Sequence, residues 1–193
     1  MRISTVAPIL IALCCTSCFT MGPNNPPVVK AEKPFASGGR IEMELSGGNY
    51  NIKSAAGDTI RVTFSGNTGN ATADLATNGT KATLAVKDTP HSNFNAVIEV
   101  PKTSDVIVRL VAGNLEMAAL TGSKDVDSQA GNVEITAGGP DAYASVDATV
   151  KAGNLDGGAF GKTEGGIGQH LTWSGHGKYT LRASLGAGNL ELK

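Results

Sequence analysis

The sequence predicts an all-β protein, a right-handed β-solenoid with Gly-Asn turn repeats. Three observations carry this. From Arg40 onward short runs alternate apolar and polar residues, the period-two signature of half-buried strands. No stretch of ten or more residues keeps a 3.6-residue period. And a short unit, Ala-Gly-Asn followed by an apolar and an acidic residue, returns through the second half of the chain at spacings near twenty residues, the mark of stacked supersecondary units.

Composition agrees. Glycine is 25 of 193 residues, aromatics are 5% and charged residues 17%. A core must therefore come from Val, Ile, Leu and Ala, which argues against a helical bundle, a coiled coil or a charged disordered chain. With 16 basic and 17 acidic residues the net charge is -1. No charge excess or basic stripe points to nucleic acid.

Residues 1–18 read as a lipoprotein-type signal peptide. Arg2 precedes an apolar run, Val6 to Leu13, too short to span a bilayer. All three cysteines (Cys14, Cys15, Cys18) lie here, so the folded part has no disulfide framework and no thiol metal site. Thr16-Ser17-Cys18 resembles the end of a bacterial lipobox, with Cys15 departing from the usual aliphatic residue; the resemblance implies lipidation at Cys18 and a membrane partner through the lipid anchor. Ordinary secretion is the alternative. Phe19 after the cysteine, in place of an Asp retention signal, favours an outer-membrane address, with the periplasmic or surface face open. Residues 19–37, rich in proline, read as a flexible tether.

Residues 38–193 form the predicted domain. Strands are expected at Arg40–Leu45, Thr59–Phe64, Lys81–Val86, Asn95–Val100 and Asp105–Leu110. The repeat occupies Gly113-Asn114, Gly131-Asn132, Gly153-Asn154 and Gly188-Asn189, with a weaker copy at Gly48-Asn49 and a hidden copy expected at Gly165-Gly166-Ile167. Glycine takes positive φ without steric cost, and Asn tolerates the left-handed region. Each Gly-Asn is thus a turn feeding a short strand, with Leu115 or Leu190 inward and Glu116 or Glu191 outward. Asparagines on stacked corners, ~4.8 Å apart, could hydrogen-bond in a ladder. A β-sandwich, with the Gly-Asn copies at hairpin turns, is the alternative fold.

At this point the chain resembles a known group, the bacterial adhesin-like domains of unknown function related to the Gly-Ile-Asn head domain of autotransporter adhesins. The resemblance rests on Gly38-Gly39-Arg40-Ile41-Glu42 followed by Gly47-Gly48-Asn49-Tyr50-Asn51-Ile52, on Val97-Ile98-Glu99-Val100-Pro101, and on the Gly-Asn series closing at Gly186-Ala187-Gly188-Asn189-Leu190-Glu191-Leu192. It covers residues 38–193 and implies a solenoid that binds an unknown surface glycan or protein, without catalysis or cofactor.

Carboxylates do not gather as a hydrolase or lyase needs. Asp125 and Asp127 share one strand face; Asp141, Asp147 and Asp156 are scattered. His170 and His176 flank Trp173, expected in turns either side of a Thr172-Trp173-Ser174 strand; His91 stands alone. No metal site is predicted. Trp173 and Tyr179, with Phe160 near in sequence, make a possible ligand face or a cap over the end of the core.

Overall fold

The structure, a computed structural model, describes residues 25–161 and 165–193. The signal peptide with Cys18 and the start of the tether lie outside the described residues. Twelve strands follow in chain order: β1 (Asn25–Pro34), β2 (Arg40–Leu45), β3 (Gly48–Ser54), β4 (Thr59–Gly66), β5 (Thr72–Asn78), β6 (Lys81–Lys87), β7 (Phe94–Val100), β8 (Asp105–Met117), β9 (Lys124–Ile135), β10 (Tyr143–Asp156), β11 (Gly166–Ser174) and β12 (Tyr179–Leu192). Two 3₁₀ turns, Pro140–Ala142 and Gly158–Phe160, complete the regular structure of the described residues.

The protein is all-β, with one mixed sheet that is parallel at its centre and antiparallel at its margins. The long strands are bent. Residues Asp105–Leu110 of β8 pair with β2, and Gly113–Met117 of the same strand pair with β3, so β2 and β3 together make one copy of β8. Burial records the bend. In β8 the buried positions are Val106, Val108 and Leu110, then Leu115 and Met117. A straight strand would keep one parity. The shift by one residue across Val111–Asn114 is what lets both arms face a single core.

Glycine makes that corner possible. Gly113, Gly131 and Gly188 have φ of 126, 125 and 134°. A Cβ on Gly131 would overlap the carbonyl oxygen of Gly113, and one on Gly188 would overlap that of Gly131. The asparagines differ from expectation: the non-glycine residues with positive φ are Asp88 and Asn93, so the corner asparagines are not left-handed. The Gly-Asn copies also lie inside continuous, parallel-paired strands, not at hairpin turns.

Strand order departs from chain order. β9 pairs with β8 on one side and β12 on the other, and β12 pairs with β10. The C-terminal strand therefore sits between β9 and β10. The 22-residue step from Gly131 to Gly153, against 18 from Gly113 to Gly131, gives the β9–β10 connection the extra length to cross two strand spacings, ~10 Å. The hidden copy at Gly165-Gly166-Ile167 is corrected: it begins β11, which runs antiparallel to β10 with Gly166 opposite Gly153.

The tether is corrected from Asn25 onward. β1 pairs antiparallel with β4, and Arg61 grips Glu32 through two bonds of 3.0 Å, holding the Glu32 carboxyl below its ordinary value. Pro26 and Pro27 are tolerated at the start of an edge strand, where a missing N–H breaks no inner ladder; the register shifts beside them.

Among the described residues Lys124 is the one buried charge in the core, 1% exposed. Its ammonium donates to Leu120 O (2.8 Å), Gly122 O (3.4 Å) and the Tyr143 hydroxyl (2.6 Å), and that hydroxyl donates to Ala137 O. One side chain thus ties the β8–β9 return to the β9–β10 return. Burial pulls its pKa down to about 8 against a slight opposing pull from Asp105, and burial pushes Tyr143 up to about 12.

Two predictions follow from these contacts. Gly131→Ala combines strained φ with a backbone clash and should destabilise the fold by about 3 kcal/mol in urea titrations. Between pH about 8 and the ordinary lysine value of 10.5, the unfolded chain binds more protons at Lys124 than the folded one. Stability should therefore rise across that window, at up to about 1.4 kcal/mol per pH unit. Above pH about 10 it should fall, because the unfolded state releases the Tyr143 proton that the folded state keeps. Lys124→Met should abolish the rise and leave the fall, read from urea midpoints at each pH.

Candidate binding surface

The bent strands present two outer faces. On the second-arm face six asparagines line up, in spatial order Asn95, Asn49, Asn114, Asn132, Asn189 and Asn154. Each of the last five donates its Nδ2 to the Oδ1 of the one before, at 3.1, 2.8, 2.8, 2.7 and 2.8 Å. All bonds run in one direction, so the amide dipoles add and each bond polarises the next. Asn95, at one end, carries no preceding glycine and was missed in the sequence reading; Phe94 occupies that corner, with its ring against Gly48. The faint signal was the register of Asn95-Ala96-Val97-Ile98-Glu99 with the repeat.

Two residues further along five of these strands lies a row that is acidic at four positions. Asn51, Glu116, Glu134, Glu191 and Asp156 are in register on neighbouring strands. Like charges directly opposite one another oppose pairing. Asn51 donates to Glu116 at 3.0 Å, and Lys193 reaches Glu134 at 2.7 Å and Glu191 at 3.5 Å. Hydrogen bonding to Glu134 pushes the Lys193 pKa up.

The first-arm face carries alternating signs. The Arg109 guanidinium forks onto Asp125 with two bonds of 3.1 Å, which raises the Arg109 pKa. Asp125 is thereby engaged by Arg109. His170 Nε2 lies 3.2 Å from Asp147 Oδ1; His170 falls within β11, not in a turn. His91 and His176 are exposed and separate. Among the described residues no three His, Cys, Asp or Glu side chains group as metal ligands. At the corner of this face Glu44, Ser46, Lys87, Arg109, Asp127 and Gln129 surround an open groove of about 390 Å³, whose apolar lining is Leu45, Val86, Leu110 and the half-exposed Val111. Donors and acceptors around a small apolar floor suit a hydroxylated ligand or a peptide.

At the far end Tyr143, Phe160 and Trp173 stack edge to face, with centroids 5.8 and 5.3 Å apart. Phe160 is buried and Trp173 half-buried against the core, so the lone Trp closes the core end. Tyr179 lies in register with Tyr143 on the neighbouring strand, half-buried, with Lys178 over its ring. The pair named as a possible ligand face is thus split between an end cap and a strand start.

The ladder sets a measurable contrast. Asn132 both donates and accepts along it, whereas Asn95 accepts one ladder bond. Asn132→Ala should cost about 2 kcal/mol and Asn95→Ala about 1 kcal/mol, read from urea unfolding midpoints.

No family model matches the chain, and no curated protein matches it. Two solved structures do. The "putative cell adhesion protein" from Clostridium sporogenes aligns over 87% of this chain and 100% of its own, at 12% identity and a TM-score of 0.53. The "putative adhesin" from Bacteroides fragilis aligns over 89% and 99%, at 9% identity and a TM-score of 0.25. The first likeness is one of fold.

Proposed function

We propose that this chain is a non-catalytic, adhesin-like binding module of the bacterial cell envelope, held to the outer membrane by a lipid on Cys18. The observation that carries this is the unbroken ladder. Five neighbouring strands bring the same corner, the same asparagine and the same outer row into register, which gives a stiff, repetitive surface of the kind suited to binding an extended partner. The outer carboxylates are tied to Lys193, Asn51 and Arg109, an arrangement that suits display more than proton transfer. The fold likeness to the clostridial protein, whose description is of cell adhesion, supports the same reading.

We read the parallel core as a β-solenoid. Support comes from the pairing of β3, β8, β9, β12 and β10 arm by arm, and from the returns that make a third side, where Thr103 bridges Thr121 in parallel. A right-handed turn is the sense that parallel crossovers take. The ligand class favoured by the groove around Val111 is a surface glycan or a protein segment.

The test is protease shaving of intact cells, following a tag after Lys193, with lysed cells as control. Cleavage on intact cells is the expected result. Cleavage only after lysis would overturn the adhesive role and leave a periplasmic structural or assembly component that binds another envelope protein.

A further inference from the structure

The sheet ends in three free margins, β1, β5 and β11; among the described residues each pairs with one strand, respectively β4, β6 and β10. Unpaired margins invite another strand unless something blocks them. β1 is blocked by Pro26, Pro27 and Pro34, by Lys30, Glu32 and Lys33, and by two register shifts. β5 carries Asp74 and has β1 packed beside it. β11 differs. Over Gly166–Ser174 it has no proline, no Lys or Arg, no Asp or Glu, and an even register with β10. Its one titratable group, His170, is held by Asp147.

We infer that β11 is a homotypic docking edge: two copies of this chain pair their β11 strands antiparallel along the straight arm Gln169–Ser174. The arm suits its own copy. A two-fold axis normal to the sheet opposes no acid to an acid and no Lys or Arg to its twin. It also keeps the core-facing sides together, so that Leu171 and the half-buried Trp173 of one copy lie beside those of the other. Gly168, with φ of 71°, sits at the bend and ends the pairing arm, leaving Ile167 beyond it.

Residues 1–24 join the described chain at Asn25, in the strand at the opposite end of the order from β11, roughly 40 Å away at ~4.8 Å per strand; residues 162–164, also outside the described residues, precede β11 and are not part of the arm Gln169–Ser174. A pair joined at β11 holds its two β1 strands at opposite extremes. If Cys18 is anchored as proposed above, that geometry links two facing membranes; pairing itself stands without the anchor.

The test uses the full chain with Cys14, Cys15 and Cys18 replaced by serine. Sedimentation across a concentration series should show a monomer–dimer equilibrium. Thr172→Lys, at an exposed position on the arm, should weaken dimerisation by about tenfold or more while leaving the urea midpoint in place, because it sets like charges near the axis. Thr172→Cys should crosslink to a dimer with a short bis-maleimide, and Asp74→Cys, on the β5 margin, should not. A monomer at every concentration, equal crosslinking at both positions, a dimer indifferent to Thr172→Lys, or polymers that grow beyond two would each overturn the inference.

Discussion

Everything in this fold depends on backbone meeting backbone at one corner. Gly48, Gly113, Gly131, Gly188 and Gly153 follow one another across the strand order, and at each step from Gly113 on, the space a Cβ would need is filled by the preceding carbonyl. With that contact in place, adjacent strands bend together, both arms keep a full set of backbone bonds, and the phase of burial resets at the same position in every strand. The asparagine ladder and the acidic row are consequences, because strands in register at the corner stay in register along the second arm.

Side-chain order on the two faces follows from that registration but is kept by different physics. On the second arm, neutral amides bond in a chain and carboxylates stand opposite carboxylates, relieved by Lys193. On the first arm, opposite charges alternate and Arg109 clasps Asp125. The exposed pairs contribute little each, since solvent screens them. The buried Lys124 is of another kind. Its three acceptors are neutral, and its position between two returns makes it a clamp that joins them.

Much of this was legible in the residues. Period-two alternation located the strands, and the inward Leu115 and Leu190 and outward Glu116 follow from it. The Gly-Asn copies marked the corners. What they could not show is that the strands run on through the corner, because a bend and a turn demand the same glycine. Nor could four near-identical copies reveal their spatial order; only the longer step from Gly131 to Gly153 hinted that a strand would be inserted. β1 was hidden because Pro26 and Pro27 argue against a strand, and a margin is the one place where that argument fails. Of the surface, Trp173 and Tyr179 drew notice as aromatics, whereas the groove around Val111 is assembled from β2, β6, β8 and β9, whose adjacency no local pattern encodes.

The insertion of β12 bears on the order in which the sheet can be completed. β12 follows β10 in the chain yet lies between β9 and β10. Until it is seated, β10 and β11 share no backbone ladder with β9, and the pair stands apart from the strands before it. The seam that joins the two parts is therefore closed by residues that lie beyond both in the sequence, and the sheet cannot grow by simple addition of one strand after another.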